Sequence, residues 1–337
     1  MFVIKENFSL KDYNTFGIDV KSRFFVSCSS FQELVQFLNS LDNAESLLMI
    51  LGGGSNVLFT KDFDGFVIQP AIKGIELIDE SSDEVLLKVG AGEDWDGFVS
   101  YCVDHNWGGV ENLSLIPGNV GTCPIQNIGA YGVEVKDVIG EVETLEIATL
   151  KKYTFQNKDC QFKYRDSIFK GELKGKHIIT NVTFKLKKLP DFNIEYGSLK
   201  EALKSCHNVD LKSIRDVVIE IRESKLPKPE EVGNAGSFFK NPIVRKDLLE
   251  KLKIMYTDIP YYVLTDNLVK IPAGWLIEKA GWKGKVMGNT GVHEKQALVL
   301  INRGNAKGSE VIQLANQIQE SVKKQFRIDL EMEVNIV

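Results

Sequence analysis

Hydrophobic and polar positions along this chain switch between a period near 3.6 and a period of two, and the switches outline its elements. Ser30 followed by Glu33 predicts a capped helix to about Leu41. Apolar residues at 47–51 predict a buried strand that runs into Gly52-Gly53-Gly54-Ser55-Asn56, with strand-like Val57-Leu58-Phe59 behind it. Further strands are predicted at 65–69, 72–78, 85–90, 138–147 and 178–186. Phe98, Val99, Cys102 and Val103 share one face of a helix over 95–104. Pro190 begins a change of character. Asp210 caps a helix in which Ile214, Val217, Val218 and Ile221 keep the helical period, and Leu226-Pro227-Lys228-Pro229 makes a rigid loop after it. Pro272 and Gly281 bracket a short helix, and Ser309 opens a long one with Val311, Leu314, Ile318 and Val322 inward. Residues 330–336 alternate as a closing strand, which puts Glu331, Glu333 and Asn335 on one face. Periodicity does not choose between the two glutamates.

At 337 residues the chain exceeds what one hydrophobic core usually serves, so two or three domains are expected. A formal charge of −5 argues against a general nucleic-acid binder, while leaving room for a local basic pocket. The cysteines, at 28, 102, 123, 160 and 206, are odd in number and form no Cys-x-x-Cys pair. A disulfide framework or zinc site is therefore not expected, and a reducing cytoplasm fits best. The first ten residues carry no apolar core of a secretory signal, and the apolar runs are too short to span a bilayer.

Residues 116–132 hold the densest turn chemistry, with four glycines, two prolines and almost no charge. A loop of this kind lets backbone N–H groups approach an anion or a flat polar ring closely, although a well-turned surface loop has the same composition. In Gly52-Gly53-Gly54-Ser55-Asn56 a dinucleotide fingerprint fails, because Val57 replaces its third glycine and no helix follows. A different nucleotide fold stays open. Arg165, within Tyr164-Arg165-Asp166-Ser167-Ile168-Phe169-Lys170, offers a rigid fork for a carboxylate, or a structural ion pair with Asp166. Ser237 sits in Gly233-Asn234-Ala235-Gly236-Ser237-Phe238-Phe239-Lys240-Asn241-Pro242, where a lone hydroxyl among small residues is either a proton donor or a turn serine. Cys123 is the one cysteine inside the glycine-rich loop, and the one cysteine that stands out.

Together these segments closely resemble the UDP-N-acetylenolpyruvoylglucosamine reductase family, flavoenzymes of peptidoglycan precursor synthesis. The likeness runs from Asn14-Thr15-Phe16-Gly17-Ile18 to the last strand, and includes Gln296-Ala297-Leu298-Val299-Leu300-Ile301-Asn302. It implies an α+β chain, with an FAD-binding domain of the vanillyl-alcohol-oxidase (PCMH) type in two subdomains. These are residues 1–70 with 326–337, and residues 71–200. A third, α+β substrate-binding domain covers 201–325. Non-covalent FAD is expected along Gly52, Gly53, Gly54, Ser55 and Asn56, and along Pro117, Gly118, Gly121, Thr122, Ile125, Gln126, Gly129, Ala130, Tyr131 and Gly132. Catalytic roles fall on Arg165, Ser237 and Glu333, the last being the position that matches the family's glutamate. Substrate contacts fall on these three and on Tyr131, Tyr196, Arg222, Lys225, Asn241 and Gln296. Tyr196, in Glu195-Tyr196-Gly197-Ser198, resembles the capping tyrosine of the longer, type I branch. A cytoplasmic monomer is expected, serving NADPH and a UDP-sugar, with no metal, nucleic acid or membrane.

The implied reaction reduces an enolpyruvyl ether to a lactyl ether, with NADPH as reductant through FAD and hydride added at the terminal CH2. Negative charge then builds beside a carboxylate that is already anionic. Arg165 offsets this charge, a protonated Glu333 donates a hydrogen bond, and an ionised Glu333 would repel it. Ser237 protonates the carbon, fed through Lys240, Asn241 or water. Arg222 and Lys225 suit the diphosphate, and equally suit a solvated helix end. NADPH has no second glycine fingerprint, which implies that it and the sugar visit one cleft in turn with ping-pong kinetics. A flavin oxidase of the same fold would leave NADPH untouched. A nucleotide-binding protein without chemistry would not need Arg165, Ser237 and Glu333 together.

Overall fold

The computed structural model describes residues 2–41 and 47–337. Contacts group the chain into two compact units. The first contains the residues up to Phe8, Ser22–Gly53 and Phe63–Ser224; the second contains Ser9–Lys21, Gly54–Asp62 and Lys225–Val337.

Unit 1 is built on two sheets. In the first the strand order is Ile4–Ser9, Lys21–Cys28, Phe63–Pro70, Leu48–Ile50. The last three run parallel, which requires crossovers. Helix α1, Phe31–Ser40, supplies one crossover, and its buried Leu34, Phe37 and Leu38 pack on Val26 and Ile68 of the sheet. Ser30 caps it by accepting the Glu33 N–H at 3.1 Å, while Glu33 Oε2 accepts the Ser29 N–H at 2.9 Å. The second sheet is antiparallel, in the order Lys152–Gln156, Ile139–Glu146, His177–Lys187, Glu84–Gly90, Ile75–Glu80. Helix α2, Trp95–Asp104, lies against it as its apolar face demands, with the Phe98 ring 4.6 Å from that of Phe184. Leu145 and Ile178 of this sheet join the α1 cluster, so the two sheets share a core. Helices α3, Gly197–Leu203, and α4, Leu211–Lys225, bury Leu199, Leu203, Ile214, Val217 and Val218 together. Asp210 opens α4 by accepting the Ser213 N–H at 2.7 Å.

Unit 2 holds a four-stranded sheet ordered Gly233–Ser237, Val299–Asn302, Thr290–Val292, Val286–Met287, and a three-stranded sheet of Ile243–Arg245, Leu268–Lys270 and Tyr262–Val263. Helices α5 (Lys246–Met255), α6 (Ala273–Lys279) and α7 (Gly308–Phe326) complete it, with Val311, Leu314, Ile318 and Val322 buried on α7. The segment 14–18 is a tie within this unit. Asn14 uses its side chain on Leu10 O, Ile18 O and Ile18 N–H, Thr15 O accepts the Asn234 N–H at 2.9 Å, and Phe16 O accepts Asn302 Nδ2 at 2.8 Å.

Three expected elements differ. The strand at 47–51 shortens to Leu48–Ile50 and is only half-buried, because it lies at the edge of its sheet. The strand expected at 72–78 begins at Ile75, since Gly92 N–H and Gly90 N–H take Ile72 O and Gly74 O at 2.8 Å and turn the chain there. At the end, only Asn335–Ile336 is a strand, parallel to Val57–Leu58. Upstream, Met332 bridges Phe239, and Glu333 N–H donates to Phe238 O at 2.8 Å. No helix among the described residues is long and apolar enough to cross a membrane.

Candidate active site

In unit 1 the two glycine-rich segments interlock. A Cβ at Gly52 would stand 2.4 Å from Thr122 Cγ2, and one at Gly53 would stand 3.0 Å from Gly118 Cα. Only glycine permits this approach. The loop is then bolted to the core beneath it. Gly121 N–H donates to Ala91 O at 2.8 Å, Trp95 N–H to Gly118 O at 2.9 Å, and Asn119 Nδ2 to Gly92 O at 3.1 Å. Pro117 is exposed, and Thr122 Oγ1 closes a short 3-10 turn on Asn119 O at 2.7 Å. Ile125 O accepts Ser167 Oγ at 2.7 Å, and Gln126 is half-buried. Cys123 is buried in the core with Trp95 and Val120, and burial pushes its thiol well above the ordinary range. It packs as an inert apolar residue.

The end of the loop is a hairpin. Gly129 pairs with Glu134 and Ala130 with Val133, around Tyr131 at φ +48° and Gly132 at φ +86°. Positive φ at both central residues is the primed turn that suits the twist of two strands. Asparagines hold Tyr131 in this costly conformation. Asn112 Nδ2 donates to Tyr131 O at 3.0 Å and to Asn193 O at 2.7 Å, and Asn193 Nδ2 donates to Gly132 O at 3.1 Å. Arg165, itself at φ +55°, donates from Nη2 to Gly129 O at 2.8 Å. The Tyr131 ring meets that of Tyr196, the residue before α3, edge to face at 5.6 Å.

Arg222, on α4, completes this group. Its Nε is buried and has no hydrogen-bond partner. Burial pulls the guanidinium below its ordinary value; Tyr131 and Asp96 attract its charge and nearby Arg165 repels it. Burial likewise raises the Tyr131 phenol, against the charge and hydrogen bond of Arg222. Tyr131, Arg165, Tyr196 and Arg222 thus form one cationic and aromatic cluster in unit 1. Lys225 is exposed at the last position of α4.

Unit 2 carries the remaining candidates. Gly54 O accepts the Thr15 N–H at 3.1 Å, and half-buried Ser55 follows. Asn56 O accepts both the backbone and the side-chain N–H of Asn335, at 3.1 and 2.9 Å, and Asn56 Nδ2 reaches Glu333 O at 3.4 Å. Ser237 ends its strand opposite Val299 and is exposed. The bond from Glu333 N–H to Phe238 O sets Glu333 beside the residue after Ser237. The two glutamates part company here: Glu331 is 71% exposed in its side chain and pairs with Lys240 Nζ at 2.5 Å, whereas Glu333 is half-buried. Asn241 Oδ1 accepts the Ala273 N–H at 2.9 Å and so caps α6. Gln296 Oε1 accepts the Leu298 N–H at 3.3 Å. Sequence reasoning missed Asn112, Asn193, Asp96 and Arg215. Their only sequence signal was polar residues amid apolar or turn segments.

A sequence model described as the C-terminal domain of UDP-N-acetylenolpyruvoylglucosamine reductase matches residues 228–337, and one described as an FAD binding domain matches residues 22–149. The reductase of that name from Bacteroides fragilis is 47% identical over 99% of this chain and 100% of its own length. That from Flavobacterium johnsoniae is 48% identical over 99% of each. The crystal structure of the Thermus caldophilus reductase covers 100% of this chain and 99% of its own, with a TM-score of 0.71 at 22% identity, which is a likeness of fold.

Proposed function

The chain belongs to the UDP-N-acetylenolpyruvoylglucosamine reductase family, and we propose that the residues described above divide its reaction among them. It is an FAD-dependent oxidoreductase that reduces UDP-N-acetylglucosamine enolpyruvate to UDP-N-acetylmuramate with NADPH, in peptidoglycan precursor synthesis. The residues fit the cofactor. Gly52, Gly53 and Gly121 leave no room for a Cβ, so backbone segments lie close together there, and such a loop can turn its N–H groups to a diphosphate. FAD would be held there and by Gly54, Ser55, Asn56, Pro117, Thr122, Ile125, Gln126, Gly129, Ala130, Tyr131 and Gly132. When bound and reduced by NADPH, it supplies hydride to the terminal carbon of the enolpyruvyl group.

The chain's own side chains handle charge and protons. Arg165 binds the substrate carboxylate with a charge-assisted pair, and its bond to Gly129 O fixes it beside the cofactor loop. Glu333, when protonated, donates a further hydrogen bond to the same developing charge. Ser237 gives a proton to the carbon next to the carboxylate. Lys240 is paired with Glu331 and the Asn241 oxygen caps α6, while Ser237 is exposed, which favours water as its proton source. Tyr196, Tyr131, Arg222, Lys225, Asn241 and Gln296 bind the UDP-sugar. The two sheets of unit 1 lie within the proposed FAD subdomains, 1–70 with 326–337 and 71–200, and a cytoplasmic monomer is the proposed working state.

The observation that carries this reading is the interlocking of the two glycine segments in a chain whose full length matches the family. Absorbance spectroscopy tests it. The purified protein is yellow, NADPH bleaches the flavin band, and the UDP-enolpyruvyl sugar restores it under anaerobic conditions. A colourless protein that takes up no FAD would overturn it.

A further inference from the structure

Asp96 lies in the first turn of α2, outside the glycine-rich segments at 52–56 and 116–132, yet it ties three elements together. Its carboxylate accepts two parallel bonds from Arg215 of α4, at 2.6 Å to Nη1 and 2.9 Å to Nη2. The same Oδ1 accepts the N–H of Leu115. Leu115 is held at φ +58°, a left-handed conformation that costs a leucine about 1 kcal/mol and persists only where neighbours impose it. The next residue opens the glycine-rich loop. Arg215 and Arg222 are separated by two turns of α4, so they project from the same side of the helix. A helix pinned at Arg215 therefore has its Arg222 placed as well.

The charges add a second point. Asp96 directs its oxygens to Arg215 and Leu115, while Asp104 and Asp216 also attract Arg215. Arg222 is attracted by Asp96 without a direct bond to it and is hydrogen-bonded to the Tyr131 phenol, and its buried Nε keeps an unused donor. A buried cation left with a spare N–H is suited to an anionic ligand.

We infer that Asp96 is a positioning residue for the reductase reaction: by holding Leu115 and Arg215 it fixes α4 against the cofactor loop, so that Arg222 presents an uncompensated guanidinium to the phosphate-bearing end of the substrate. This rests on the proposed role of Arg222 in binding the UDP group. Steady-state kinetics of the FAD-loaded chain test both in one cycle of variants. Arg222→Gln raises KM for the UDP-sugar about tenfold or more, and Asp96→Asn raises it about tenfold with kcat within about twofold, the mark of lost binding rather than lost chemistry. The double variant stays within about twofold of Arg222→Gln, because Asp96 acts through Arg222. A merely structural Asp96 would multiply the two effects. Arg215→Lys keeps the charge but loses the parallel fork, and runs the same cycle if Asp96→Asn does not fold. An unchanged KM for the Asp96 or Arg215 variant, or a multiplicative cycle, overturns the inference alone. An unchanged KM for Arg222→Gln removes the substrate role beneath it and the inference with it.

Discussion

At the scale of the residue, the proposed reaction assigns charge handling to Arg165 and proton delivery to Ser237. Arg165 is fixed through Gly129 O, and Ser237 stands at an exposed strand end, reachable by water. Ser237→Ala is expected to leave bleaching of the flavin by NADPH intact and to lower turnover of the UDP-sugar by at least a hundredfold, about the cost of one essential transition-state donor. Stopped-flow measurement of the two half-reactions checks this, and a normal reoxidation rate would remove Ser237 from proton transfer. Glu333→Gln retains a donor where Glu333→Ala does not. The first is expected to keep roughly ten times more turnover than the second if donation matters, as steady-state assays at one pH would show. The two glutamates of the last segment, equivalent by alternation, are made unequal by the pairing of Glu331 with Lys240.

At the scale of the element, the glycine-rich loop proposed to hold the cofactor is bonded along its length to the segment beneath it. Its shape comes from close backbone contact at Gly52 and Gly121, and from asparagines that hold Tyr131 in its turn. A Cβ at Gly121 would lie 2.5 Å from that of Ala91, with Ala91 backbone behind it. Gly121→Ala is therefore expected to push the loop off its seat and weaken FAD affinity by tenfold or more, at about 1–3 kcal/mol of overpacking. Flavin fluorescence on titration reads the affinity; a variant that binds FAD normally would show that the cradle tolerates a shift. Asp96 adds a link between this loop and α4 that neither element suggests when considered alone.

At the scale of the whole molecule, ion pairs in unit 1 set its response to acid. Burial would raise the Glu143 carboxyl, but the hydrogen bonds and charges of Lys152 and Lys88 outweigh this and hold it below the usual range. Asp96 behaves alike: burial raises it, and Arg215, the Leu115 N–H and Arg222 lower it further. A depressed folded-state value means that the unfolded chain binds more protons in that window. The stabilisation is thus fully present above the unfolded values, near pH 4 to 4.5, and is lost as pH falls through the folded ones. Glu143→Gln is expected to cost about 1–3 kcal/mol at pH 7 and to flatten the fall in stability below pH 4.5. Urea denaturation at pH 7 and pH 3.5 measures both, and an unchanged slope would show that Glu143 contributes nothing to it.

Much was legible in the chain because local chemistry decides it. Helix α2 ends where its apolar spacing ends, α4 starts at Asp210 and stops before Pro227, and the glycine-rich segments announce themselves by composition. Each of these depends on neighbours within a few residues, which the sequence records directly. Tertiary structure alone decided that Thr122 fills the space over Gly52, that Asn112 and Asn193 hold the Tyr131 turn, and that Asp96 reaches Arg215. It also decided that the final alternating run pairs as a strand only at Asn335–Ile336, since pairing needs a partner edge and not merely a pattern. Contacts between residues remote in sequence leave no periodic trace, because each side chain carries the same identity whether it faces a ligand, a loop or water.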